Sequence, residues 1–196
     1  MKTLKIGLFG GTFNPIHLGH LIVADSARES LYLDKVVFVP CASPPHKSSR
    51  SLIDADRRLE MVKLAISGHP SFEVSDIEIQ RGGKSYTVDT LRALTLFYPT
   101  SQLYLLIGID NLLELHSWKE PEEIFALCEV VAINRPGFDA ANVRKDYLRR
   151  VTFLRSPNID ISSSEIRRKA RMGKSIRYLV PSTVEAYILK HGAYRD

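Results

Sequence analysis

The chain has 196 residues, of which 44% are hydrophobic, and carries a formal net charge of +5. That length supports one core of ordinary size, and the basic balance suits an anionic partner: a nucleotide, a nucleic acid or a membrane surface. No apolar run reaches the roughly 18 residues a spanning helix needs, and the opening MKTLKIGLFGG breaks at glycines too early for a secretory leader. Cys41 and Cys128 form no CxxC pair, so reduced, mostly buried thiols are expected rather than a disulfide or a zinc site. A cytoplasmic protein with no membrane partner is the expectation. Lys and Arg concentrate in Arg144–Arg155 and Arg167–Arg177, but such clusters usually solvate helix faces. With no recognition motif and few interleaved aromatics, they do not predict nucleic-acid binding.

In chain order, KIGLF (5–9) reads as a strand, 17–32 as a helix and KVVFV (35–39) as a second strand. A helix over 54–67 places Ala55, Leu59, Val62 and Ile66 on one face. The segment FEVSDIEI (72–79) alternates apolar and polar residues and is predicted to be an edge strand. Next come a helix over 88–97, a strand over 103–107 and a helix over 112–127 broken at Pro121. A strand over 130–133, a helix over 140–150 and a last strand over 151–154 complete the alternation. Two closing helices, 164–172 and 181–190, are separated by Gly173 and the RYLVP segment.

Alternating strands and helices, with five of the six strands largely apolar throughout, predict the α/β class: a doubly wound, mostly parallel sheet covered on both faces. One domain is expected, with an α/β core over 1–160 and a helical carboxyl-terminal part over 161–196. Ligands of such sheets sit beyond the carboxyl ends of the strands, where the strand order reverses. The loops GGTFNPIHLGH, PCASPPHK, GIDNLLELHSW and NRPG are therefore candidates for the site.

In the first of these, Gly10 and Gly11 permit a sharp turn and a close approach to a bulky group, and Pro15 fixes φ at the loop's end. His17 and His20 stand three apart at a helix start, an end that favours anions. The pattern is neither GxGxxG nor GxxxxGK[ST], which argues against a nicotinamide dehydrogenase and a P-loop ATPase. GGTFNPIHLGH resembles the (T/S)F-x-P-x-H-x-GH signature of the HxGH nucleotidyltransferases, and Ile161–Arg167 (ISSSEIR) is similar to their second motif, ISSTxIR, with Ser164 in place of threonine. Read without the resemblance, ISSSEIRR is a helix cap followed by a basic face. With it, the N–H groups of Ser163 and Ser164 and the guanidinium of Arg167 become candidates for holding the β- and γ-phosphates.

Pro44–Pro45–His46–Lys47, Ser85–Leu91 (SYTVDTL), Gly108–Ile109–Asp110, Trp118 and the ending from Tyr178 to Ile188 are similar to the bacterial nicotinate mononucleotide adenylyltransferases. This resemblance covers nearly the whole chain. It implies a Rossmann-like fold, ATP and nicotinate mononucleotide as substrates, Mg²⁺ carried mainly by the ATP phosphates, and no protein-held metal. Catalysis is then expected from His17, His20, Lys47 and Arg167. ATP is expected against Gly10, Gly11, Thr12, Phe13, His17, His20, Gly108, Asp110, Ser163, Ser164 and Arg167, with Asp110 at the ribose. The acceptor is expected against His46, Lys47, Tyr86, Thr87, Trp118 and Arg135. Thr87 is placed to cap a helix start that suits a nicotinate carboxylate, and Trp118 to stack on the pyridinium ring. Cys41 and Ala42 replace polar residues found in some members, which would leave backbone-only contacts to the acceptor phosphate. A homo-oligomer is left open.

Overall fold

The computed structural model describes residues 3–43, 52–134 and 143–195. Its strands are β1 (Lys5–Gly11), β2 (Lys35–Pro40), β3 (Phe72–Val74), β4 (Gln102–Gly108), β5 (Glu129–Ile133) and β6 (Val151–Leu154). They form one sheet in the order β3-β2-β1-β4-β5-β6, and every pairing is parallel. The helices are α1 (Leu18–Leu31), α2 (Ala55–Ile66), α3 (Ile77–Arg81), α4 (Thr87–Phe97), α5 (Ile109–Glu114), α6 (Pro121–Leu127), α7 (Lys145–Leu148), α8 (Ser163–Arg171) and α9 (Ser182–Lys190). A 3₁₀ turn, Leu115–Ser117, follows α5.

Strand side chains alternate between two cores, as the period of two requires. Val36, Phe38, Tyr104, Leu106, Val131 and Ile133 join the core that also holds Ala24, Met61, Ile166 and Val184 from α1, α2, α8 and α9. Ile6, Leu8, Val37, Val39, Leu105, Val130 and Ala132 join the other, with Leu91, Leu112 and Ile124 from α4, α5 and α6. A sheet buried on both sides explains why its strands read as continuous apolar runs. The chain builds outward from β1 to β2 and β3, then returns to add β4, β5 and β6 on the other side. The order therefore reverses between β1 and β4, whose carboxyl ends are Gly11 and Gly108.

Three sequence expectations need correction. The strand over 72–79 stops at Val74 and remains an edge, while Ile77–Arg81 turns into helix. The alternation misleads there because Glu78 is the inward residue, accepting a 2.6 Å hydrogen bond from the Thr90 hydroxyl. The helix over 140–150 is the short α7, and 140–142 lie outside the described residues. Helix α4 begins at Thr87 rather than Val88, because the Thr90 N–H donates to the Tyr86 carbonyl and makes Tyr86 the N-cap, with no side-chain capping bond.

The carboxyl-terminal segment packs onto the same core as α1 and α2, through Ile176, Val180, Ile188 and Tyr194. It also reaches the motif loop directly. The Leu18 N–H donates to the Leu179 carbonyl at 3.0 Å, and the buried Tyr194 hydroxyl donates to Asn14 Oδ1 at 3.0 Å. Tyr194→Phe removes that second bond while keeping the ring, so it is expected to lower unfolding free energy by about 1 kcal/mol, read from denaturant midpoints. An unchanged midpoint would leave the hydroxyl without a stabilising role.

Candidate active site

Strand β1 runs out at Gly10 and Gly11, and the loop that follows is bent tightly at Phe13 (φ 46°). The Phe13 ring folds back over Gly11, where a Cβ would stand only 2.9 Å from it. A Cβ on the exposed Gly10 would instead meet nothing within 4 Å, so the open space above the turn is available to a ligand. The Asn14–Pro15 peptide is cis.

His17 is the N-cap of α1, only 6% exposed, and its ring stacks on that of His20 with centroids 3.6 Å apart. The His17 backbone N–H donates to His20 Nδ1 at 3.2 Å. An acceptor Nδ1 leaves the proton of the neutral ring on Nε2, which makes Nε2–H the donor available to a ligand. Gly19 makes the stack possible, since a Cβ there would lie 3.1 Å from His17 Nδ1 and 3.3 Å from Ile159 Cγ2. The start of α1 offers fewer open donors than the sequence suggests, because Leu18 N–H is spent on Leu179 and His20 N–H on His17.

The open donors are at α8. Ser162 is its N-cap and accepts a hydrogen bond from Glu165 N–H at 3.2 Å. Ser163 and Ser164 occupy the first two helical positions, whose N–H groups have no intrahelical partner. Two bonds dock this helix start on the first motif: the Ser163 hydroxyl donates to the Pro15 carbonyl at 2.9 Å, and Arg167 Nη1 donates to the Asn14 carbonyl at 2.9 Å. Arg167 Nη2 donates to the Ser164 hydroxyl at 3.2 Å. The guanidinium is thereby fixed between two segments some 150 residues apart in sequence.

These groups face a cleft of about 560 Å³ at the reversal between β1 and β4. Gly10, Gly11, Thr12, Phe13, His17, His20, Gly108, Asp110, Ser163, Ser164 and Arg167 all line it. Asp110, in the first turn of α5, folds its carboxylate against Gly108, so any side chain at 108 would collide with it. Ile133, Pro157, Ile159 and Ile161 supply an apolar wall that sequence reasoning did not single out.

The acceptor-side residues are placed differently. His46, Lys47 and Arg135 lie outside the described residues. Tyr86, Thr87 and Trp118 are half-buried and do not line the cleft, but they are tied to its neighbouring loops. Ala42 N–H donates to the Ser85 hydroxyl at 2.9 Å, and Ser85 N–H donates to the Ser43 carbonyl at 3.1 Å, which joins the stem after β2 to SYTVDTL. Lys119 lies over the Tyr86 ring, 5.2 Å from its centroid, and bonds both Asp89 oxygens at 3.1 Å, which joins SYTVDTL to the Trp118 segment. Burial alone would push the Asp89 carboxyl up, yet Lys119 and Arg92 hold it below the usual carboxylate range, so the acid at the start of α4 is neutralised by its neighbours.

Ala42 also corrects the expectation of backbone-only phosphate contacts. Its N–H is spent on Ser85 and its carbonyl accepts from Arg58 at 3.0 Å. Sequence reasoning missed Arg58, which is fully buried, and Asn14, which is 5% exposed. Arg58 carried a signal, because it falls at helical spacing with Val62 on the apolar face of α2.

Both thiols are inert by environment. Burial pushes Cys41 up, and burial pushes Cys128 up to about 12. Native protein near neutral pH is therefore expected to react slowly with a disulfide reagent and unfolded protein rapidly at both positions; a fast thiol in the native state would contradict this.

A parallel sheet whose order reverses beneath a glycine turn and a donor-rich helix start places the molecule in the Rossmann-like, nucleotide-binding class. The profile of the cytidylyltransferase-like family matches residues 8–169. A Geotalea daltonii protein named "Probable nicotinate-nucleotide adenylyltransferase" is 44% identical, over 98% of this chain and 99% of its own length. A Desulfitobacterium hafniense protein of the same name is 43% identical over 97% and 96%. The chain belongs to the cytidylyltransferase-like family, among the nicotinate-nucleotide adenylyltransferases. Its fold also matches that of a Plasmodium falciparum nicotinic acid mononucleotide adenylyltransferase complexed with NaAD, with a TM-score of 0.80, 22% identity and 97% of each chain covered.

Proposed function

We propose that this chain transfers the adenylyl group of ATP to nicotinate mononucleotide, forming nicotinate adenine dinucleotide and releasing pyrophosphate. The observation that carries the reading is the docking of α8 on the first motif, which turns two distant sequence signatures into one polar cleft.

In the proposed reaction a phosphate oxygen of the mononucleotide attacks the α-phosphorus of ATP, the bond to the bridging oxygen breaks, and pyrophosphate leaves opposite the incoming oxygen. The attacking oxygen is already ionised near neutral pH, so the protein's task is alignment and charge neutralisation rather than covalent catalysis. Ser163 and Ser164 N–H groups and the Arg167 fork hold the outgoing phosphates. His17 orders the stack, and His20 Nε2–H is the donor for charge that builds on the transferred phosphoryl group. Asp110 receives the ribose. On the acceptor side, His46, Lys47 and Arg135 meet the phosphate, the start of α4 at Tyr86 and Thr87 meets the carboxylate, and Trp118 stacks on the ring.

Among the described residues no group of three or more His, Cys, Asp or Glu side chains forms a metal cage. That donor set fits a Mg²⁺ ion held mainly by phosphate oxygens and water. When bound, the ion neutralises charge on the triphosphate.

Pyrophosphate release with ATP and Mg²⁺, compared across nicotinate mononucleotide, nicotinamide mononucleotide and phosphopantetheine, tests the acceptor. Preference for the first is expected. Equal use of both mononucleotides would remove the helix-start account of carboxylate choice, and turnover with phosphopantetheine alone would replace the acceptor.

A further inference from the structure

Arg58 is fully buried in the amino-terminal half of α2. Its guanidinium donates from Nε to the Ile53 carbonyl at 3.0 Å, from Nη1 to the Thr12 carbonyl at 2.8 Å and from Nη2 to the Ala42 carbonyl at 3.0 Å. Nη1 also faces the Cys41 sulfur at 3.8 Å. Among the described residues its hydrogen-bond partners are these neutral groups and no carboxylate.

A buried charge without an ion-pair partner is costly, and an apolar side chain of similar volume would usually stabilise the core at least as well. What distinguishes Arg58 is the set of segments it joins. Thr12 belongs to the glycine turn that lines the nucleotide cleft. Ala42 and Ile53 are on either side of the segment that carries His46 and Lys47, which places both stems of the acceptor loop on the same guanidinium. Both stems are thereby tied to the turn at the ATP cleft. A trans peptide points the following N–H opposite to its carbonyl. By drawing the Thr12 and Ala42 carbonyls inward, Arg58 leaves the N–H groups of Phe13 and Ser43 directed away from itself.

We infer that Arg58 is a positioning residue for the adenylyl transfer, a brace that sets the acceptor loop against the ATP loop so that the two phosphates meet in line. The inference rests on the function proposed above. Arg58 touches neither substrate and acts through backbone it holds. The fork is essential to this role, since lysine keeps the charge but has no planar set of donors that reaches three carbonyls in fixed directions.

The test compares wild type with Arg58→Lys and Arg58→Ala, using ATP and nicotinate mononucleotide at saturating concentrations. Arg58→Lys is expected to melt cooperatively yet lose kcat by about 10- to 100-fold, the scale of a small misplacement of reactants. Its KM for each substrate should change far less than kcat. Millimolar guanidinium is expected to restore part of the kcat of Arg58→Ala, and sodium chloride at the same ionic strength is not. A folded Arg58→Lys with wild-type kcat overturns the brace, as does a kcat loss that equals the unfolded fraction at the assay temperature. If Arg58→Ala does not fold, the kcat-to-KM split in Arg58→Lys decides alone. Wild type without turnover on this pair of substrates would instead remove the proposed function and the brace with it.

Discussion

His20→Ala is expected to lower kcat by about 100- to 1,000-fold, the usual loss on removing one well-placed donor from a site where charge develops. The melting temperature should stay close to wild type, because the lost contacts are few: one 3.2 Å bond from His17 N–H and edge-on contacts with the Phe9 and Phe13 rings. The KM for ATP should rise much less than kcat falls, since the proposed interaction strengthens only as charge builds on the phosphoryl group. Steady-state rates beside a thermal melt separate these effects. A folded variant with an unchanged kcat would take His20 out of the mechanism and leave the stacked pair a structural role.

Arg167→Lys is expected to lower kcat/KM for ATP by about 100-fold, although charge is conserved. Arg167 already gives Nη1 to the Asn14 carbonyl and Nη2 to the Ser164 hydroxyl. Its remaining donors are therefore held in one plane and one direction, which a flexible ammonium does not reproduce. Helix α8 should remain docked, because the Ser163–Pro15 bond and the buried Ile166 and Ala170 do not depend on the guanidinium. The loss should therefore appear in kinetics with ATP and only weakly in a denaturant titration. If lysine supports wild-type kcat/KM, Arg167 serves as a diffuse charge and the fork is dispensable.

Much of this site was legible because it lies where sequence patterns are strongest. Apolar β-branched runs mark strands buried on two faces, and their alternation with helices forces a parallel sheet whose reversal point is a loop address. The glycine turn and the HxGH spacing fall at that address. Ser163 and Ser164 lie far away in sequence and enter the cleft only because α8 packs Ile166 and Ala170 into the shared core. Neither periodicity nor composition fixes that docking; the motif resemblance pointed to it.

The parts that were not legible share a physical cause. Patterning treats polar residues as outward-facing, and the misread positions are polar residues that point inward with partners from elsewhere in the fold. Glu78 turned a predicted strand into helix because the Thr90 hydroxyl satisfies it. Arg58 hid on an apolar helix face because three carbonyls surround its guanidinium. Asn14 accepts from Arg167 and from Tyr194, partners that follow it by more than 150 residues. Thr87 looked like a cap because threonine favours that position, and the Thr90 bond to the Tyr86 carbonyl moved the helix start by one residue.

The central claim is that the cleft transfers an adenylyl group between two bound phosphates, and the fate of labelled phosphorus tests it most directly. With nicotinate mononucleotide, label from the α-phosphate of ATP is predicted to appear in the dinucleotide, and label from the γ-phosphate in pyrophosphate. Transfer of the γ-label to the mononucleotide, or retention of the α-label in a free adenine nucleotide, would contradict it.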